Sequence, residues 1–175
     1  MAALRAGLMP ALAALSLSSA ALAQPVLDPP RFKGEELTNA VQQASAAAGF
    51  PTCSAALAKV ALFLSNGMDA TYTVEPLGVD ETAWPIVLTM ESENPGGGDR
   101  LSVANMNPGC SGMYTQTIYW SRSCEAVKTQ VFPNFGSQKT FMRNVRKSRS
   151  GRNLELFLMP AAAGCVSIKK ELFRF

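Results

Sequence analysis

Leu37, Ala40, Val41, Ala44 and Ala48 recur along the chain with the spacing of one helical face. Glu35 and Glu36 precede them in what would be the first turn, where the helix dipole favours anions. Gly49 and then Pro51 supply a stop. The pattern predicts a helix over about 35–48. Its stripe is mostly alanine, so it should lie close against whatever covers it. The next segment, "CSAALAKVALFLSNGMDATYTVEP", supports two readings. Leu57, Val60, Ala61 and Leu64 fit a helix ended by Gly67, whereas Val60, Leu62 and Leu64 before Asn66-Gly67 fit the first arm of a hairpin. Alanine and leucine propensity favours the helix, and "ATYTVEP" reads as a strand in either case.

Beyond this point the pattern shortens to period two. "WPIVLTMES", "RLSVANM", "MYTQTIYW", "KTFMRNVR", "NLELFLM" and "CVSIKKELFRF" are short β-branched and aromatic runs separated by Pro, Gly, Asn and Ser clusters. "CEAVKTQVF" fits a short helix between strands. Residues 24–33, "QPVLDPPRFK", hold three prolines and no period, as an extended arm would. No internal repeat stands out. The fold class expected is α+β, with one or two N-terminal helices packed on a mainly antiparallel sheet of about five to seven strands, stapled by disulfides.

Composition adds a location. Residues 1–23 begin with a single Arg5, continue through leucine and alanine, and end in Ala21-Leu22-Ala23. This is the layout of a secretory signal peptide. Its apolar stretch falls short of the roughly 20 residues needed to cross a bilayer, and no later segment is long and apolar enough. Cleavage after Ala23 would leave the arm at 24–33 and a single domain over 34–175, secreted to a periplasm or cell envelope. An exported chain meets an oxidising compartment, so Cys53, Cys110, Cys124 and Cys165 are expected to form two disulfides. Three pairings are open and the sequence does not choose among them. Closeness in the chain favours Cys110 with Cys124, leaving Cys53 with Cys165.

The chain contains no histidine, which removes Ser-His and Cys-His nucleophilic systems and His-ligated zinc. Glu91 and Glu93 would share one face of a strand, a pair that could act on a glycan, or could join Asn94 and Asp99 around a cation. "NPGGGDR" lacks the Gly-Lys-Ser/Thr ending of a phosphate loop and reads as a turn. No cofactor is expected. Tyr119 and Trp120 are adjacent, so in a strand only one of them can be core.

Charge is segregated. Residues 75–99 carry Glu75, Asp80, Glu81, Glu91, Glu93 and Asp99 and nothing basic, whereas residues 139–152 carry Lys139, Arg143, Arg146, Lys147, Arg149 and Arg152 and nothing acidic. The net charge of +3 drops to +2 when Arg5 leaves with the leader, too little to suggest nucleic acid. "RKSRSGR" reads as the tip of a hairpin with arms "TFMRNV" and "NLELFLM". Its candidate contact residues are Arg143, Arg146, Lys147, Arg149 and Arg152. Such a finger suits an anionic partner such as a lipid headgroup, a glycan or an acidic protein, although it could also guard a sheet edge or meet the chain's own acidic stretch. The expected function is a non-enzymatic, exported binding module. Its rivals are a carboxylate-dependent, glycan-active enzyme and a structural subunit of an envelope assembly, the latter suggested by the Pro-rich arm and aromatic C-terminus.

Overall fold

The computed structural model describes residues 29–78, 85–96 and 98–175. The leader-like stretch over 1–23 and residues 24–28 of the arm lie outside them. The helix of the alanine stripe, α1, spans Gly34–Ala47 and buries Leu37 and Val41. A 3-10 turn at Pro51–Cys53 leads into α2, Ser54–Ser65. Propensity thus decides the ambiguous segment for helix, and Asn66 ends it in the left-handed conformation, φ 53°.

The strands are β1 Ala70–Pro76, β2 Ile86–Glu93, β3 Asp99–Met106 and β4 Ser111–Trp120. After α3, Cys124–Gln130, come β5 Lys139–Met142, β6 Val145–Ser150, β7 Leu154–Ala161 and β8 Gly164–Arg174. They form one antiparallel sheet of eight strands in the order β1-β2-β3-β4-β8-β7-β6-β5. Three helices with this sheet make the α+β composition expected. The eighth strand arises because "KTFMRNVR" is a hairpin and not one strand. Met142 pairs with Val145, so Arg143 and Asn144 form a two-residue turn.

Alternation along the strands gives the sheet one buried face. Ile86, Leu88 and Met90 of β2, Ala104 and Met106 of β3 and Tyr114 of β4 join Leu37, Val41, Leu57 and Leu64 of the helices in one cluster. Ile118 and Trp120, on the same side of β4 as Tyr114, join Val127 of α3, Leu156, Leu158 and Cys165 in a second. The opposite face has no helix on it among the described residues, and there Leu101, Tyr119 and Leu172 stand exposed.

Although the sequence displays no repeat, the two halves follow one plan. Each has a helix, α2 or α3, followed by four strands, the first half carrying α1 in addition, and the last strands, β4 and β8, meet at the centre with Thr115 opposite Lys170. Each half also carries one disulfide from the start of its helix to the start of its inner strand: Cys53–Cys110 with Cα atoms 5.3 Å apart, and Cys124–Cys165 at 5.0 Å. This corrects the expected pairing of Cys110 with Cys124 and Cys53 with Cys165. The ten residues of β4 lie between Cys110 and Cys124. Extended, they hold the two cysteines roughly 33 Å apart, far beyond bonding reach. Cys165 pairs in register with Trp120, at the end of β4 remote from Cys110 and Cys53.

Candidate functional site

The basic residues do not form a finger. "RKSRSGR" is mostly strand β6, hydrogen-bonded on both sides, and its residues divide between the two faces of the sheet. Arg143 sits in the β5–β6 turn and Arg152 in the β6–β7 turn, at opposite ends of β6. Arg146 lies on the helix side, with Nη1 3.7 Å from a Glu125 carboxylate oxygen on α3. Lys147 and Arg149 project from the open face.

Around those two the sheet assembles a mixed cationic and aromatic surface. The Lys147 ammonium lies 5.2 Å from the Phe141 ring centre and 5.1 Å from that of Phe157. Those rings meet edge to face at 5.6 Å. Lys139 stands opposite Lys147 on β5, and Lys170 of β8 reaches to 5.7 Å from the Phe157 ring. A hollow of about 490 Å³ opens beside Phe141, Lys147 and Arg149. Glu155 is the one acidic group here that the basic side chains hold: its Oε1 is 2.7 Å from Lys147 Nζ and 2.6 Å from Arg149 Nη2. Their hydrogen bonds, that of Lys147 first, keep its carboxyl below the usual carboxylate range. The sequence reading missed Phe141, Phe157 and Lys170, because only the register of β5, β6, β7 and β8 brings them together.

The acidic stretch is elsewhere. Glu75, Glu91, Glu93 and Asp99 lie on β1, β2 and β3, and Asp80 and Glu81 fall outside the described residues. Four strands separate β2 from β6, so Glu91 and Glu93 do not neutralise the basic end. Glu91 and Glu93 line a hollow of about 200 Å³, and Glu93 is paired with Arg31 at 3.1 Å. Asn94 is buried and accepts from Arg100 at 3.2 Å, which directs it away from those carboxylates. No cluster of three Asp, Glu, Cys or His able to hold a metal occurs among the described residues.

A second candidate lies on the helix side. Between the C-terminal ends of α2 and α3 a cleft of about 310 Å³ reaches the sheet, lined by Phe63, Asn94, Arg100, Gln116, Trp120, Phe132 and Lys169 among others. Arg100 and Gln116 both donate to the terminal α2 carbonyl of Leu64, at 3.2 and 3.3 Å. The Trp120 indole N–H donates to Ser167 Oγ at 2.8 Å. The Lys169 ammonium sits over the Phe63 and Tyr114 rings and 3.7 Å from Glu171, and burial holds it below the usual lysine range. The Tyr114 hydroxyl donates to Glu171, and burial with that bond pushes the hydroxyl well above its ordinary value.

No helix among the described residues is long and apolar enough to cross a membrane. No protein-family model, curated protein or solved structure matches this chain.

Proposed function

We propose that this chain is an exported, disulfide-stapled binding protein of the periplasm or cell envelope, which engages an anionic partner through the cationic and aromatic end of its open sheet face. The observation that carries the reading is the Lys147 ammonium held between Phe141 and Phe157, with Lys139, Arg149 and Lys170 around it on an uncovered surface. Aromatic faces fix the position of the ammonium, and Glu155 at 2.7 Å offsets only part of the charge gathered here. Arg143 and Arg152 extend the same charge to both ends of β6. Two disulfides and the leader-like first residues support export. The rival glycan-active reading has less support, since Glu93 is tied to Arg31.

The test is association with phosphatidylglycerol vesicles and with a sulfated-glycan column, at low and high salt. Changing Lys139, Lys147 and Lys170 together to Gln should weaken retention about tenfold or more at low salt and reduce its salt dependence. Unchanged retention on both matrices would reduce this surface to an edge guard.

A further inference from the structure

Arg100 is 7% exposed, and no carboxylate lies within 4 Å of it among the described residues. Its two hydrogen-bond acceptors, the Leu64 carbonyl and the Asn94 side-chain oxygen, are neutral, and its Nε–H has no acceptor. A guanidinium stays charged when buried, so such a site normally supplies it with a counter-charge. Capping α2 accounts for Nη1 alone. Arg100 lines the cleft between α2 and α3, where Lys169, its charge partly offset by Glu171 at 3.7 Å, adds a second cation and Gln116 a side-chain amide. The wall is apolar, with the Trp120 and Phe132 rings edge to face at 6.3 Å. At about 310 Å³ the space is at the lower end of small-ligand sites.

We propose that this cleft binds a small organic carboxylate carried on an apolar body. The uncompensated charge of the Arg100 guanidinium and the charge of Lys169 attract the carboxylate, and the body lies against Trp120 and Phe132. This site is on the opposite side of the sheet from the cationic surface, and the two stand or fall separately.

The experiment is an amide and side-chain NMR titration of the oxidised protein with three probes: benzoate, its neutral isostere benzamide, and inorganic phosphate. Benzoate should give saturable shifts at the Trp120 indole N–H, the Gln116 amide and the Arg100 Nε–H, with benzamide and phosphate each weaker by about tenfold or more. Lys169→Met should weaken benzoate severalfold, and Arg100→Gln should abolish it. If Arg100→Gln does not fold, the benzoate-to-benzamide ratio on the unaltered protein and the Lys169→Met result still decide. Equal binding of benzoate and benzamide, phosphate binding more tightly than benzoate, shifts confined to the open face, or no saturable shift at all would each overturn the assignment.

Discussion

Lys147 reaches diagonally from β6 to β7 and sets its ammonium 2.7 Å from Glu155, which Arg149 also grips at 2.6 Å. One carboxylate thus offsets part of the charge of two of the five basic residues singled out from the sequence. Glu155→Gln removes that offset. Retention on anionic vesicles should rise severalfold at low salt, and an unchanged or lower retention would mean that neither cation touches the partner. The same carboxyl has a folded-state value below its unfolded one. Its contribution to stability is therefore complete above about pH 4.3 and fades as pH falls through the lower folded value. Because the pair is partly solvated, the contribution is below about 1 kcal/mol. Denaturation midpoints of the two proteins should differ slightly at neutral pH and converge in acid; a gap that widens in acid would contradict the assignment.

The disulfides give a direct check of the two-half plan. Non-reducing peptide mapping should recover Cys53 linked to Cys110 and Cys124 linked to Cys165, with loops of 57 and 41 residues. Under the chain-entropy model each closure is worth about 4 kcal/mol. Replacing either pair by serine should cost a similar amount, read from urea midpoints. A peptide joining Cys110 to Cys124 would refute the register of β4 with β8.

What the sequence revealed was local. The Leu37 stripe, the propensity of residues 54–65 and the period-two runs are each encoded by neighbours in the chain, and all but "KTFMRNVR", which splits into two strands, appear as elements close to where expected. Tyr119 and Trp120 were separable for the same reason: adjacent strand residues face opposite ways, and Trp120 is 5% exposed against 44% for Tyr119. The cysteine pairing failed because nearness in the chain is not nearness across a straight strand. The hairpin tip was misplaced because Arg143 beside Asn144 is a weak turn signal, whereas Ser150-Gly151 is a strong one. Arg100 was unreadable in "GGGDRLSV", since its burial comes from the end of α2, a contact spanning 36 positions.

Two glycines mark where backbones meet too closely for any side chain. A Cβ on Gly164 would lie 2.1 Å from the Trp120 carbonyl oxygen, and one on Gly112 would lie 1.9 Å from that of Asn105. Both obstacles are backbone atoms of a neighbouring strand, which cannot swing aside. Gly112→Ala and Gly164→Ala should each cost about 1–3 kcal/mol or more in thermal or urea unfolding. Gly151→Ala, where space is open but φ is +66°, tests strain without a clash and should cost less. The reverse ranking would place these strands farther apart than described.

The two halves share a plan but not a core. Leu88 of β2 pairs with Ala104, which pairs with Tyr114; Ser148 of β6 pairs with Leu156, which pairs with Lys169. Leu88 and Ser148 therefore hold equivalent places, and both are buried. Leu88 fills its site with hydrocarbon, whereas the Ser148 hydroxyl has no hydrogen-bond partner among the described residues. Burying an unmade hydrogen bond costs about 1–3 kcal/mol. Ser148→Ala should leave stability unchanged or raise it by about 1 kcal/mol, while Leu88→Ala should lower it by about 2–5 kcal/mol. Urea midpoints of the oxidised proteins measure both. If Ser148→Ala lost more than about 1 kcal/mol, the hydroxyl would have a partner in solution, and the second half would be held by polar contacts where the first relies on packing.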